Sequence, residues 1–174
     1  MSEAPSSHAR SWLGWMFPPA PIRIDTATRE DIPPLAQIHA ASFPHDWSVD
    51  ELASLVSEPH VICLVAKRAN ALGTRSPMGF LLLRLAADEA EVLTIAVDPR
   101  RRGRGYGAAL MTAGVDRLIR RGIVALFLEV DVANLSAVQL YRRLGFIQVG
   151  ERNGYYRNGT AEGSMALIMR LDLS

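Results

Sequence analysis

Ile22 and Ile24 alternate with Arg23 and Asp25, and this period of two predicts a first strand over residues 21–27. Thr28 with Asp31 three residues on is a near capping box for a helix that has Pro33 and Pro34 in its first turns and Leu35 and Ile38 on one face. Ser48-Val49-Asp50-Glu51 is a full capping box opening a second short helix through Leu52, Leu55 and Val56. Strands are expected over 60–67, 78–85 and 89–97, and the longest soft stretch between them is 68–77. The next helix is predicted over 104–121, stopped by Gly122. Residues 123–130 form a continuous apolar run, as in a strand buried on both faces. Asn134 caps a last helix ending near Gly145, and strands over 146–151 and 164–171 close the chain. The order β-α-α-β-β-β-α-β-α-β-β describes a mixed α/β fold with at least one parallel crossover, from the fourth strand to the fifth.

Length changes this picture little: 174 residues suit one domain with about twenty to spare. Residues 1–20 are expected to be a flexible extension and 21–174 the folded domain. The extension holds Trp12-Leu13-Gly14-Trp15-Met16-Phe17, too short for a signal-peptide core or a membrane span, followed by the stiff Pro18-Pro19-Ala20-Pro21. Docking of its aromatics on the domain or on a partner is the alternative. A net charge of +1 gives no general pull towards nucleic acid or a membrane, so neither is expected as a partner. The single cysteine, Cys63, excludes an internal disulfide, favours a cytoplasmic setting and reads as core filler. His8, His39, His45 and His60 lack metal-like spacing, and no metal is expected.

One segment departs from ordinary surface chemistry. Between an apolar strand and a helix stands Val97-Asp98-Pro99-Arg100-Arg101-Arg102-Gly103-Arg104-Gly105-Tyr106-Gly107-Ala108. Three alternate glycines let backbone N–H groups approach an anion, the helix start adds partial positive charge, and four arginines add donors. The set suits a pyrophosphate with an attached 3′-phosphate. The spacing is not that of a dinucleotide-binding fingerprint, and no Gly-Lys-Ser/Thr is present for a nucleotide-triphosphate loop. A glycine-rich turn with solvated arginines is the bland alternative.

Arg102-Gly103-Arg104-Gly105-Tyr106-Gly107 resembles the Arg/Gln-x-x-Gly-x-Gly/Ala signature of the GNAT acetyltransferases. The stretch from Leu128-Glu129-Val130 through Asn134 and Tyr141 to Leu144-Gly145-Phe146 is similar to the second half of that family's core. The likeness is greatest to the bacterial RimI type, which acetylates the N-terminal alanine of a small-subunit ribosomal protein. It departs at His45 and Asp46, inserted between Pro44 and Trp47, and at residues 162–166, both where substrate is held.

The resemblance implies a GNAT fold, with a mostly antiparallel sheet splayed between the fourth and fifth strands, and acetyl-CoA as co-substrate. It implies that the backbone of Ile95, Ala96 and Val97 pairs with the pantetheine arm, that Arg102, Gly103, Arg104, Gly105, Tyr106, Gly107 and Ala108 hold the phosphates, and that Asn134 contacts the same molecule. Glu129 is implied as the base and Tyr141 as the acid. From the residues alone, Glu129 reads equally as a strand-end surface group, Tyr141 as a core residue and Asn134 as a helix cap. Tyr155 and Tyr156 would wall a peptide slot or simply flank a hairpin. The implied acceptor is a protein N-terminus, with a small-molecule amine or a non-catalytic acetyl-CoA-binding module as alternatives. Oligomeric state is left open, a monomer being one option.

Overall fold

The computed structural model describes residues 22–69, 75–153 and 165–173. The expectations for residues 1–20, for Tyr155 and Tyr156 and for 162–164 lie outside these. The chain runs through β1 (Arg23–Thr26), a 3-10 turn at Arg29–Asp31, α1 (Ile32–Ala40), α2 (Val49–Ser57), β2 (Val61–Ala69), β3 (Arg75–Ala86) and β4 (Glu89–Val97). A second 3-10 turn at Pro99–Arg101 leads to α3 (Tyr106–Ile119), β5 (Ala125–Asp131), α4 (Leu135–Arg143), β6 (Ile147–Asn153) and β7 (Met165–Asp172).

Among the described residues seven strands form one sheet, ordered β1-β2-β3-β4-β5-β7-β6. Every neighbouring pair is antiparallel except β4–β5, the predicted parallel crossover. Alternation along β3 sends Leu81 and Leu83 under α3 and Phe80 and Leu82 under α1 and α2, so two cores form on opposite faces. Close approach of α3 to the sheet depends on Gly114, where a Cβ would stand 2.7 Å from Leu81 Cδ2.

Local signals account for the helix starts. At Ser48 the side chain accepts the Glu51 N–H at 3.2 Å, while the Glu51 carboxylate accepts the Ser48 N–H at 2.8 Å. At the first helix the Asp31 carboxylate accepts the N–H and the hydroxyl of Thr28, and Lys67 closes on it at 2.7 Å. Burial alone would raise the Asp31 carboxyl, but those bonds outweigh it and hold the group below its ordinary value.

Three expectations are corrected. The helix predicted from 104 begins at Tyr106, because Gly103 and Gly105 take φ values of +72° and +83°, outside the right-handed helical region. The soft stretch 68–77 is narrower, since β2 continues to Ala69 and β3 begins at Arg75. The apolar run 123–130 is not a strand buried on both faces: Val124 precedes β5 and is 41 % exposed, and Glu129 is exposed. For Glu129 the reason is tertiary: α1 and α2 pack against β2, β3 and β4, and on that side of β5 Ala125 is covered, Phe127 is half-buried and Glu129 is exposed.

Candidate active site

The site begins as a parting of two strands. β4 pairs with β5 only at Glu89, Ala90 and Glu91, opposite Ala125, Leu126 and Phe127. Next along β4, Leu82 registers with Thr94 but Leu83 with Val92, so Leu93 is an extra residue in a β-bulge. A bulge bends the strand and increases its twist. Beyond it β4 keeps its bonds to β3 and has no β5 partner among the described residues. A cavity of about 650 Å³ opens there, a size typical of small-molecule sites.

One wall of the cavity is the β4 edge, with Ile95, Ala96 and Val97. Another is the turn into α3, where Arg102, Gly103, Gly105, Tyr106, Gly107 and Ala108 all line it. A Cβ built on Gly103 or Gly105 meets no atom within 4 Å, so both glycines border open space that a side chain would enter. The first intrahelical bond of α3 is the Ala109 N–H to the Gly105 carbonyl at 3.0 Å, which leaves the preceding N–H groups of the turn without helical acceptors. These features fit an extended ligand carrying phosphate.

Of the arginines there, Arg100 is tied back to Asp98, and Arg104 is exposed and does not line the cavity. Arg102 lines it and donates to Ser42 Oγ at 3.1 Å and to the Val97 carbonyl at 3.4 Å, linking the α3 turn to the loop after α1. Arg101, one of the four arginines of the predicted cradle, also lines the cavity, as does Arg143, which the sequence pattern did not point to.

Glu129 on β5 and Tyr141 on α4 both face this space, as does Asn134. Tyr141 is buried against Phe146, ring centroids 5.7 Å apart, and burial pushes its phenol up to about 12. That departs from the ordinary value near 10 expected of a tyrosine. Asn134 Oδ1 caps α4 through the Ala137 N–H at 3.2 Å, so the capping oxygen is engaged while the amide nitrogen makes no hydrogen bond to the described residues. Glu129 is half-exposed and pairs with Arg152 of β6 at 3.0 Å, a partner that pattern reading could not find because β7 lies between them.

The inserted His45 and Asp46 belong to the loop joining α1 to α2, whose Ser42 and Phe43 reach the cavity. His39 organises that loop. Its ring stacks on Trp47 at 4.4 Å and lies 4.6 Å from Phe43, and its Nδ1 accepts the Trp47 N–H at 3.2 Å. Burial depresses His39 below its ordinary value, against the Asp46 carboxylate, which raises it. Cys63 takes no part: it lies in the core beneath α1 and α2, with its thiol pushed up to about 12 by burial.

Comparison with known proteins bears on this arrangement. The model of the acetyltransferase (GNAT) family matches residues 32–146. The [ribosomal protein bS18]-alanine N-acetyltransferase of Escherichia coli K12 is 31 % identical over 152 residues, which cover 87 % of this chain and 97 % of that one. The crystal structure of the Escherichia coli ribosomal-protein-S18-alanine N-acetyltransferase superposes with a TM-score of 0.76 at 30 % identity, covering 88 % of this chain and 95 % of that one. A mycothiol acetyltransferase of Clavibacter michiganensis is 33 % identical over 80 % of this chain and 47 % of its own. Arabidopsis thaliana NAA60, solved in complex with acetyl-CoA, shares the fold at a TM-score of 0.73 and 20 % identity, over 87 % of this chain and 98 % of its own.

Proposed function

Because the chain belongs to the acetyltransferase (GNAT) family and is an acetyl-CoA-dependent N-acetyltransferase, we propose that it acetylates the N-terminal α-amine of a protein, with a terminal alanine as the first acceptor to test. The observation that carries this reading is the meeting of Glu129, Tyr141 and the unpaired β4 edge at one cavity.

In this reading the β4 edge from Ile95 to Val97 adds the pantetheine arm as a strand, by backbone hydrogen bonds. Gly103, Gly105, Tyr106, Gly107 and Ala108 hold the pyrophosphate through N–H groups, assisted by Arg102. Arg104, implied by the family motif, is left to solvent. Asn134 offers its amide nitrogen to the same molecule. When bound, acetyl-CoA supplies a thioester carbonyl and a thiolate leaving group. Glu129 takes the proton of the incoming amine on a carboxylate oxygen. Tyr141 gives its hydroxyl proton on the leaving-group side. With its phenol near 12 it stays protonated, hence loaded as an acid, across the working pH range. Burial weakens it as an acid, but a thiolate forming in the same poorly solvated space gains proton affinity for the same reason.

The acceptor follows from magnitudes. An α-amine with a pKa of about 7.8 costs about 0.5 kcal/mol to deprotonate at pH about 7.4, whereas a lysine at about 10.4 costs roughly 4. One half-exposed carboxylate suits the smaller task. The mycothiol acetyltransferase relative favours a second reading, transfer to a small-molecule amine.

Rates on a peptide beginning with alanine, on the same peptide blocked at its terminus and carrying a free lysine, and on a small diamine separate the two. The first should be fastest, and Glu129→Gln should depress its rate near neutral pH, with the loss shrinking above the amine's own pKa. Faster acetylation of the diamine replaces the N-terminal reading with the small-molecule one.

A further inference from the structure

The reading above leaves the ion pair between Glu129 and Arg152 without a use. The two residues are not neighbours in the sheet. Glu129 registers with Ile168 of β7, and Arg152 registers with Ala166 on the far side of that strand. The arginine therefore reaches across β7, two inter-strand spacings of about 4.8 Å each, to bring Nη2 within 3.0 Å of Glu129 Oε1. Both side chains keep solvent contact, 67 % exposed for Arg152 and 44 % for Glu129.

The contact lacks the alignment of a guanidinium–carboxylate hydrogen bond, unlike Arg23 with Asp25 or Arg170 with Asp172, whose Nε–H groups donate at 2.8 Å. A pair so exposed and so loosely aligned contributes little to folding, at most about 1 kcal/mol. What sets it apart is its address. The carboxylate it neutralises lines the cavity, and the arginine stands beside the strand end from which the chain leaves β6.

We propose that Arg152 is a displaceable latch on Glu129, its guanidinium holding the cationic place that the ammonium form of the acceptor amine takes on arrival. This rests on the reading of Glu129 as the group that receives the acceptor's proton. With no acceptor present, the carboxylate is neutralised from the rim. When an ammonium arrives, one cation replaces another, and the guanidinium returns to water, where it is already largely solvated. Charge on the carboxylate is balanced before and after. The latch therefore weakens acceptor binding and discriminates against acceptors too weakly cationic to displace it, without entering the transfer itself.

The test uses the full chain at saturating acetyl-CoA, with the alanine-initial peptide and, in parallel, a small diamine. Arg152→Gln is expected to lower the acceptor KM about three- to fivefold, the equivalent of about 1 kcal/mol or less, with kcat within about twofold of the parent. Arg152→Lys, which keeps the cation, should stay closer to the parent than Arg152→Gln. Ionic strength gives a readout that a structural role would not move. Raising salt from about 50 to about 300 mM should raise the acceptor KM of Arg152→Gln, because a free carboxylate now attracts the ammonium, while the cation exchange in the parent is nearly salt-neutral. An acceptor KM unchanged or raised in Arg152→Gln, or a kcat lowered tenfold, overturns the latch and makes Arg152 a residue that positions Glu129. Full turnover by Glu129→Gln also overturns it. Preference for the diamine over the peptide refutes only the N-terminal reading, because the KM split and salt response are then read on the diamine.

Discussion

Tyr141 carries the most exposed chemical claim at the scale of single residues. Its ring is held by Phe146 and the core under α4, so Tyr141→Phe keeps the packing and removes only the hydroxyl. Turnover should fall by roughly 10²-fold, in the range seen when a general acid is lost, with little change in affinity for acetyl-CoA. A steady-state kcat within twofold of the parent would take Tyr141 out of the mechanism. The pH dependence has a definite sign. The phenol must be protonated to donate, and burial sets it near 12, so its contribution persists through pH 10 and is lost only as pH rises through about 12. A tyrosine at the ordinary value would already be half lost near pH 10. A kcat profile for the parent that stays flat to pH 10, measured on an acceptor already unprotonated there, is the check. Glu129 illustrates the opposite limit of legibility. Its place in an apolar strand left two readings open, and its exposure and its arginine partner follow from which strands and helices lie beside β5.

At the scale of elements, the turn from β4 into α3 is where sequence and geometry agree most closely. Alternate glycines predicted close approach of backbone to an anion, and two of them, Gly103 and Gly105, adopt left-handed φ beside open space. Gly105→Val therefore meets no steric clash in the fold but must adopt a strained φ, a cost of about 1–3 kcal/mol. Its branched side chain would also stand where the phosphates are proposed to lie. Acetyl-CoA affinity, followed by calorimetry, should drop at least tenfold more than the folding equilibrium, followed by denaturant melts. Equal affinity in a folded variant would mean that the phosphates bind elsewhere. Within the same turn Arg104 is exposed and does not line the cavity, whereas Arg101 does.

For the whole molecule, a ligand that bridges β4, the α3 turn and α4 binds only the folded chain and must stabilise it. Acetyl-CoA at about 100 times its dissociation constant should add about 2.7 kcal/mol. For a domain of this length that is a rise in melting temperature on the order of 5–10 °C. A melting curve unmoved by millimolar acetyl-CoA would refute the proposed site. The order of elements, the parallel crossover, both capping boxes and the glycine turn were legible from local pattern alone, because each is written in periodicity or in the backbone freedom of a few residues. The sequence also carried the family, through two motifs held at a fixed separation. Other features needed the tertiary structure: the extra residue at Leu93 where β4 leaves β5, the exposure of Glu129 on β5, the buried phenol of Tyr141, the His39 stack that shapes the loop holding His45 and Asp46, and the reach of Arg152 across β7. These depend on pairing register and on which layer covers which strand. Such contacts join residues far apart in the chain, and no local pattern specifies them.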